Sequence, residues 1–302
     1  MKKRTTCTIL GANGYLGRHL TYYLHQAGFN VFAYDIQSER NPNIPSDIPY
    51  KQFDICNNYD QIRLDVDYLF VFSGITGTKN GFDNYKTFIE VNEVGLLNIL
   101  TEVKKMNEKP KIIFPSTRLV YKGQKHPLQE RAGKEAKTIY AANKLACEYY
   151  LRMYANCFGI TYTIYRICVP YGNLFDGEFS YGTVGAFLKR AKKGETISLY
   201  GNGSVQRTFS HVISICQQIA DSMVLADSDN QTYNVAGETF SLKELAEKIA
   251  AVYKSKITFI PWNELDRKIE SGSTVFDGKN ISTIINVNAY LKLDEWLKKC
   301  NS

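Results

Sequence analysis

The chain has 302 residues, of which 44% are hydrophobic and 22% charged, and its formal net charge is +7. These fractions are ordinary for a soluble globular protein with an ample core. No apolar run approaches the roughly 18 residues that a membrane helix needs, and the first apolar run ends at a glycine turn. We therefore expect a cytoplasmic protein with no membrane partner and no signal peptide.

The seven cysteines and four histidines are scattered along the chain without metal-ligand spacing. We expect reduced cysteines and no metal site. The only notable basic cluster comprises Lys189, Arg190, Lys192 and Lys193. It lies at the end of a predicted helix, where cations interact favourably with the helix dipole. This favours a solvated helix end over a nucleic-acid patch, so no nucleic-acid partner is expected.

The stretch 8–17 carries the first functional signal. A short apolar run leads into Gly11, Gly14 and Gly17, and Leu20 and Leu24 continue at helical spacing. This pattern predicts a strand, a tight turn and a helix. Glycines let a pyrophosphate approach the backbone, and the helix N-terminus offers N–H groups to it. A glycine triplet alone is equally consistent with a simple turn and cap.

The residues that follow favour a dinucleotide site. Gly28 closes the predicted helix, 29–34 reads as a second strand, and Asp35 ends it. An acidic residue at that distance from the glycines accepts hydrogen bonds from the adenosine ribose. A carboxylate there repels a 2′-phosphate, so the expected cofactor is NAD rather than NADP. The alternative role for Asp35 is a cap or turn residue.

Strands and helices alternate through the first half of the chain. Buried strand patterns at 67–72, 111–115 and 160–167 alternate with helical patterns at 85–105 and 138–158. This order predicts an α/β fold of the Rossmann type, with a doubly wound parallel sheet covered by helices on both faces.

After about residue 171 the composition changes, with helical patterns at 212–225 and 241–253. We expect a dinucleotide-binding domain over 1–171 and a smaller substrate-binding α/β lobe over 172–302. Because the two are expected to interleave, this boundary is approximate.

A tyrosine and a lysine four residues apart give the catalytic signal. Tyr140 and Lys144 share one face of the predicted helix 138–158. A nearby ammonium lowers the pKa of a tyrosine, which then serves as a general base. A second pair, Tyr121 and Lys125, runs through a glycine and is not expected to be helical. The alternative role for Tyr140 is a half-buried helix residue.

On these residues the chain resembles the extended short-chain dehydrogenases/reductases of the NAD-dependent epimerase/dehydratase kind, which act on nucleotide sugars. Asp54-Ile55, Phe72-Ser73-Gly74-Ile75 and the N-x-x-G helix motif at Asn92 match further family segments. The resemblance implies NAD contacts at Gly11, Asn13, Gly14, Tyr15, Leu16, Gly17, Asp35, Asp54, Ile55, Phe72, Ser73, Gly74, Asn92, Tyr140 and Lys144.

The resemblance also implies the catalytic set. Thr117, at the end of the strand that contains Ser116, falls at the catalytic hydroxyl position beside the Tyr140 and Lys144 pair. Arg207 falls where the family contacts the ligand diphosphate, so Thr117 and Arg207 are the expected substrate contacts. One departure is Val169, which stands where the family often has an asparagine near the diphosphate.

The reaction implied is 4-epimerisation of a nucleotide sugar through a 4-keto intermediate. The 4,6-dehydratases of the family carry an aspartate–glutamate pair after the catalytic threonine, whereas Arg118 and Leu119 stand here. Two alternatives remain: a reductase of 4-keto-sugar nucleotides that uses NADH or NADPH, and a non-catalytic NAD sensor.

A homodimer is also expected, because family members commonly pair through the two long helices. In the second helix, Tyr149, Tyr150, Leu151 and Tyr154 offer more apolar surface than one sheet face needs.

Overall fold

The structure, a computed structural model, describes residues 4–57, 59–175, 182–287 and 290–301. Its strands are β1 Thr6–Leu10, β2 Asn30–Asp35, β3 Tyr50–Gln52, β4 Tyr68–Val71, β5 Lys111–Thr117, β6 Tyr162–Ile167, β7 Val169–Tyr171, β8 Ile197–Tyr200, β9 Gln206–His211, β10 Gln231–Asn234, β11 Glu238–Ser241 and β12 Ile257–Ile260.

The helices are α1 Tyr15–Gln26, α2 Asn80–Asp83, α3 Tyr85–Ile89, α4 Gly95–Lys104, α5 Ile139–Phe158, α6 Gly182–Lys192, α7 Val212–Met223, α8 Leu242–Tyr253, α9 Glu264–Ile269, α10 Lys279–Ser282 and α11 Leu293–Asn301. None of the helices in the described ranges is long and apolar enough to cross a bilayer.

Seven strands form the main sheet, in the order β10-β6-β5-β4-β1-β2-β3, and every pairing between them is parallel. The strand order reverses between β1 and β4. In an open α/β sheet, ligands bind at such a point, outside the carboxyl ends of the strands. The predicted Rossmann-type α/β fold is confirmed.

Helices cover both faces of the main sheet, which is why its strands read as continuous apolar runs. On one face, Ile9 of β1 belongs to a buried cluster with Leu20 of α1 and Ile219 of α7. On the other face, Leu69 of β4 clusters with Leu151 of α5. Leu151 is fully buried, so among the four residues expected to supply apolar surface on this helix, it packs within the protein.

Two smaller sheets lie beyond the main one. The first has the order β11-β9-β7 and the second pairs β12 with β8. The chain returns to the main sheet at β10, which pairs with β6. The division of the chain at residue 171 stays a prediction.

The predicted helix over 85–105 contains a feature that the sequence pattern did not indicate. Between α3 and α4 the chain forms a π-helical turn, Glu90–Val94, so the helical run changes its hydrogen bonding there. Such turns occur frequently at functional sites. The predicted helix over 138–158 matches α5, with Thr138 as its N-cap.

Candidate active site

A cleft of about 960 Å³ opens at the carboxyl ends of the central strands. Its lining combines the glycine turn after β1, the end of β5, the first turns of α5 and residues from the smaller sheets. The volume is at the upper end of the range for small-molecule sites. Because these segments are far apart in sequence, only the fold brings them together.

The glycine turn is built so closely that side chains do not fit. Gly11 has φ +83°, and a Cβ there would lie 2.6 Å from the backbone nitrogen of Ser73. A Cβ at Gly17 would lie 2.0 Å from the carbonyl oxygen of Gly11. The N-cap of α1 is Gly14, which makes no side-chain capping bond. The turn therefore presents bare backbone and a helix N-terminus, as a pyrophosphate requires.

Asp35 lies at the end of β2, directly beside this turn. Its carboxylate accepts hydrogen bonds from the backbone nitrogens of Asn13 at 2.9 Å and Gln37 at 3.2 Å. The Asn13 side chain donates to Tyr50 and accepts from the Asn41 backbone at 2.9 Å. The Asn13 carboxamide thus holds the segment 37–50 in place, a contact that sequence reasoning did not foresee.

Asp54 and Ile55 follow β3 and differ in what they contact. The Asp54 carboxylate accepts from the Cys56 backbone at 2.9 Å and from the Asn57 side chain at 2.6 Å. Ile55 is buried against Gly95, where an added Cβ would lie 2.8 Å from its Cγ2. Both residues therefore shape the turn after β3, and their predicted NAD contacts stay predictions.

Asn92 holds the loop after β4 through two hydrogen bonds. Its side-chain oxygen accepts from the Ile75 backbone at 2.8 Å, and its amide donates to the Ile75 carbonyl at 3.0 Å. A Cβ at Gly74 would lie 2.9 Å from the same oxygen. Because the π-helical turn places Asn92 there, this turn positions Phe72 and Gly74 along the cleft.

Thr117, Tyr140 and Lys144 line the same cleft. Thr117 Oγ1 accepts a hydrogen bond from the Leu119 backbone at 3.2 Å, which leaves its hydroxyl proton for another acceptor. Tyr140 and Lys144 belong to the first turns of α5, where Thr138 caps the helix by accepting from the Ala141 backbone. The structure thus brings the three predicted catalytic residues together.

Lys144 is almost fully buried, and its ammonium lies 4.3 Å from the centroid of the Phe114 ring. Burial lowers its pKa to about 8, although the nearby Cys147 and Glu148 oppose this shift. The amine is therefore close to its titration point at neutral pH, and an ammonium there stabilises a phenolate beside it.

A buried network ties β5 to α5. Ser116 donates to Glu148 Oε1 at 2.6 Å, and Arg166 Nε donates to the same oxygen at 2.8 Å. A second arginine nitrogen donates to the Tyr121 hydroxyl at 2.6 Å. Burial opposes ionisation of Glu148, but the bonds and charge of Arg166 outweigh it and lower its pKa.

The same network explains the roles of two residues near Thr117, Ser116 and Tyr121. Ser116 precedes Thr117, and its hydroxyl donates a hydrogen bond to Glu148. The Ser116 hydroxyl therefore belongs to the buried network, whereas the Thr117 hydroxyl accepts from the Leu119 backbone. Tyr121 lies outside any helix, and its hydroxyl is bonded to Asn234 and Arg166. The expectation that Tyr121 and Lys125 do not share a helical face is confirmed.

Arg207, the predicted diphosphate contact, lies on β9 and lines the cleft. One of its terminal nitrogens donates to Glu270 at 2.7 Å, while its buried Nε has no hydrogen-bond partner among the described residues. Sequence reasoning did not identify Glu270. The two residues are 63 positions apart, so no local pattern linked them.

Further cleft residues that sequence reasoning missed are Arg118, Tyr200 and Trp262. Tyr200 and Trp262 stack with their ring centroids 4.8 Å apart. No group of three or more histidine, cysteine, aspartate or glutamate residues suited to a metal occurs within the described ranges.

A parallel doubly wound sheet with a glycine turn and a cleft at its switch point is the architecture of dinucleotide-binding domains. Residues 7–236 match the NAD dependent epimerase/dehydratase family. The chain belongs to this family and is an NAD-dependent enzyme. The glycine turn, the N-terminus of α1 and Asp35 fit this cofactor, because the turn leaves no room for side chains and the carboxylate lies beside it.

The chain is similar to several known proteins. It is 28% identical over 281 residues to a UDP-N-acetyl-alpha-D-glucosaminuronate decarboxylase of Bacillus cytotoxicus, covering 88% of this chain and 85% of that one. The UDP-glucose 4-epimerase of Thermotoga maritima, solved with UDP-glucose, superposes with a TM-score of 0.84 at 21% identity, covering 97% and 96%.

A third similar protein is the UDP-glucuronic acid 4-epimerase of Bacillus cereus, solved with UDP-glucuronic acid and NAD. It superposes with a TM-score of 0.84 at 18% identity, and the likeness covers 97% of both chains. At these identities the two solved structures show that the fold is shared.

Proposed function

We propose that this enzyme is an NAD-dependent nucleotide-sugar 4-epimerase that works through a 4-keto sugar. The observation that carries the proposal is the convergence of Thr117, Tyr140 and Lys144 on one cleft that also contains the glycine turn. A protein that only sensed NAD would not need a base, its ammonium neighbour and a hydroxyl in one place. The 4-epimerases among the similar structures support the choice of reaction.

In the proposed reaction Tyr140 removes the proton from the 4-hydroxyl of the sugar, and it later returns a proton to the same oxygen. Thr117 donates a hydrogen bond to that oxygen. Its hydroxyl proton is available because Thr117 Oγ1 acts only as the acceptor in its bond with the Leu119 backbone. The Lys144 ammonium stabilises the phenolate form of Tyr140. When bound, NAD supplies the hydride acceptor at C4 and the hydride that is returned to the opposite face.

The remaining cleft residues fit a nucleoside diphosphate. The stacked pair Tyr200 and Trp262 offers an aromatic surface to a base. Arg207 brings a guanidinium to the cleft lining, and such a group binds phosphate oxygens. We propose that Thr117 and Arg207 are the substrate contacts and that the residues around the glycine turn and Asp35 hold NAD.

Dehydration is disfavoured, because Arg118 and Leu119 stand where the dehydratases of the family carry two acids. The second candidate is a keto-sugar reductase. Val169, which stands in place of the usual asparagine, is buried in β7 and offers no polar group to a diphosphate. The valine at this position is consistent with a substrate whose diphosphate is bound differently from that of an epimerase substrate.

The test supplies UDP-glucose, UDP-galactose, UDP-N-acetylglucosamine and UDP-glucuronic acid to the purified enzyme without added cofactor, with products identified by NMR. We expect the 4-epimer of at least one substrate, because an epimerase returns the hydride and needs no net reductant. Failure across the panel, with stoichiometric consumption of NADH or NADPH on a 4-keto-6-deoxy sugar nucleotide, would establish the reductase instead.

We also propose a cytoplasmic homodimer. All seven cysteines are free thiols, which suits a reducing compartment. Tyr149 and Met153 of α5 are about half exposed, and Ile89 and Val94 of the neighbouring helical run are also exposed. These exposed apolar residues lie on the two helical runs that we propose as the interface between two copies.

A further inference from the structure

Arg118 is a cleft residue for which the proposed reaction has no role. It directly follows Thr117 and begins a short 3₁₀ turn, Arg118–Val120. The cleft lining includes it. Its guanidinium makes one hydrogen bond within the described residues, a long one of 3.4 Å to Thr274 Oγ1. It forms no ion pair with any carboxylate in the described ranges.

The acidic residues of the cleft already have other partners. Among the described lining residues the carboxylates are Asp266 and Glu270. Asp266 pairs with Lys79 at 2.6 Å. Glu270 pairs with Arg207 at 2.7 Å and also accepts from the Gly272 backbone at 3.0 Å. The positive charge of Arg118 is therefore not matched by a directly bonded carboxylate of this part of the protein.

Arg118 brings a positive charge to the cleft. Burial, and then the nearby charge of Arg207, lower the pKa of Arg118 to about 10, although Cys168 and Glu270 oppose this shift, so Arg118 is still charged at neutral pH. The side chain is partly buried in the cleft lining, and a bound oxyanion would give it a charge-assisted hydrogen bond there. A guanidinium binds planar oxyanions through two parallel hydrogen bonds.

We propose that Arg118 binds a carboxylate on the sugar, so that the natural substrate is a nucleotide-linked uronic acid. The inference rests on the proposed function, which places the sugar at Thr117 and Tyr140. Arg118 directly follows Thr117 in the chain, and both residues line the same cleft. Arg207, which also lines the cleft, is the proposed contact of the diphosphate.

The experiment measures binding by calorimetry with the NAD-loaded enzyme. The ligands are matched pairs of neutral and acidic sugars on one nucleotide: UDP-glucose with UDP-glucuronic acid, UDP-galactose with UDP-galacturonic acid, and GDP-mannose with GDP-mannuronic acid. UDP and GDP alone report on diphosphate binding. The variants are Arg118→Gln, Arg118→Lys and the control Arg131→Gln, since Arg131 is exposed and outside the cleft lining.

We expect the uronic acid of at least one pair to bind about tenfold or more tightly than its neutral partner. Arg118→Gln should remove this difference, and Arg118→Lys should retain part of it, because lysine keeps the charge but loses the fork geometry. Arg131→Gln should behave as the wild type does.

Two results would overturn the inference and leave the proposed function intact. One is equal affinity for both members of every pair in the wild type. The other is an Arg118→Gln variant that weakens nucleotide, neutral sugar and uronic acid by the same factor, which would make Arg118 a diphosphate contact. If no nucleotide sugar binds at all, the proposed function fails together with this inference.

Discussion

Tyr140 is the residue on which the proposed chemistry depends most directly. We expect Tyr140→Phe to lower turnover by about 10²- to 10⁴-fold, because the phenol performs the proton transfer. NAD binding should be nearly unchanged, because the glycine turn and Asp35, rather than the Tyr140 phenol, are the main proposed contacts of the dinucleotide. Turnover is followed by NMR and NAD binding by calorimetry.

The matched control for this substitution is Tyr149→Phe. Tyr149 lies on the same helix but is about half exposed, so it should keep wild-type turnover. Comparable turnover in the Tyr140→Phe variant and the wild type would disprove the catalytic role of Tyr140.

We expect Lys144 to determine how the catalytic activity depends on pH. Because burial lowers its pKa to about 8, the ammonium is present below that pH and lost above it. Its support for the Tyr140 phenolate is lost with it, so kcat/KM should fall as the pH rises through about 8. The measurement is a profile of kcat/KM between about pH 6 and pH 10, a range that reaches the ordinary pKa of a lysine amine.

Lys144→Arg provides the internal comparison for the pH profile. Its guanidinium stays charged across the measured range, so the variant should be slower overall but should lose the decline near pH 8. An unchanged decline in the arginine variant would show that another group titrates there.

At the scale of secondary-structure elements, the Ser116–Glu148–Arg166 network holds β5 against α5. Glu148 is fully buried, and Arg166 is 1% exposed. Removing one charge from such a pair leaves the other uncompensated. We therefore expect Glu148→Gln to lower the free energy of unfolding by about 3–5 kcal/mol. Urea denaturation of the purified proteins measures this change.

Glu247→Gln is the matched control for this substitution. Glu247 is an exposed carboxylate of α8 whose ion pair with Lys243 is long, at 3.8 Å. Its loss should change the free energy of unfolding by about 0.5 kcal/mol or less. Equal effects of the two substitutions would mean that the buried network does not stabilise the fold.

At the scale of the whole molecule, one prediction concerns the number of chains in the assembly. We expect light scattering at micromolar concentration to give the mass of two chains. Met153→Glu together with Tyr149→Glu should yield a monomer, because two charges would be buried in the proposed interface. Val224→Glu is the control, since Val224 is 48% exposed but lies on neither long helix. The mass of one chain for the wild type would contradict the proposal.

Local patterns in the sequence identified much of this protein. The glycine spacing, the acid after the second strand and the Tyr140–Lys144 pair each lie within one supersecondary unit. Their geometry follows from helix and strand periodicity, which neighbouring residues determine. The alternation of strands and helices likewise predicted the parallel sheet, because parallel strands need crossover connections.

Tertiary structure decided what depends on residues far apart in the chain. It paired Arg207 with Glu270 and Ser116 with Glu148 and Arg166, and it buried Leu151 while leaving Tyr149 exposed. It also left Arg118 in the cleft with no directly bonded carboxylate among the described residues. These outcomes arise from packing between distant segments, which sets burial and therefore charge and hydrogen bonding, and no local sequence pattern contains that information.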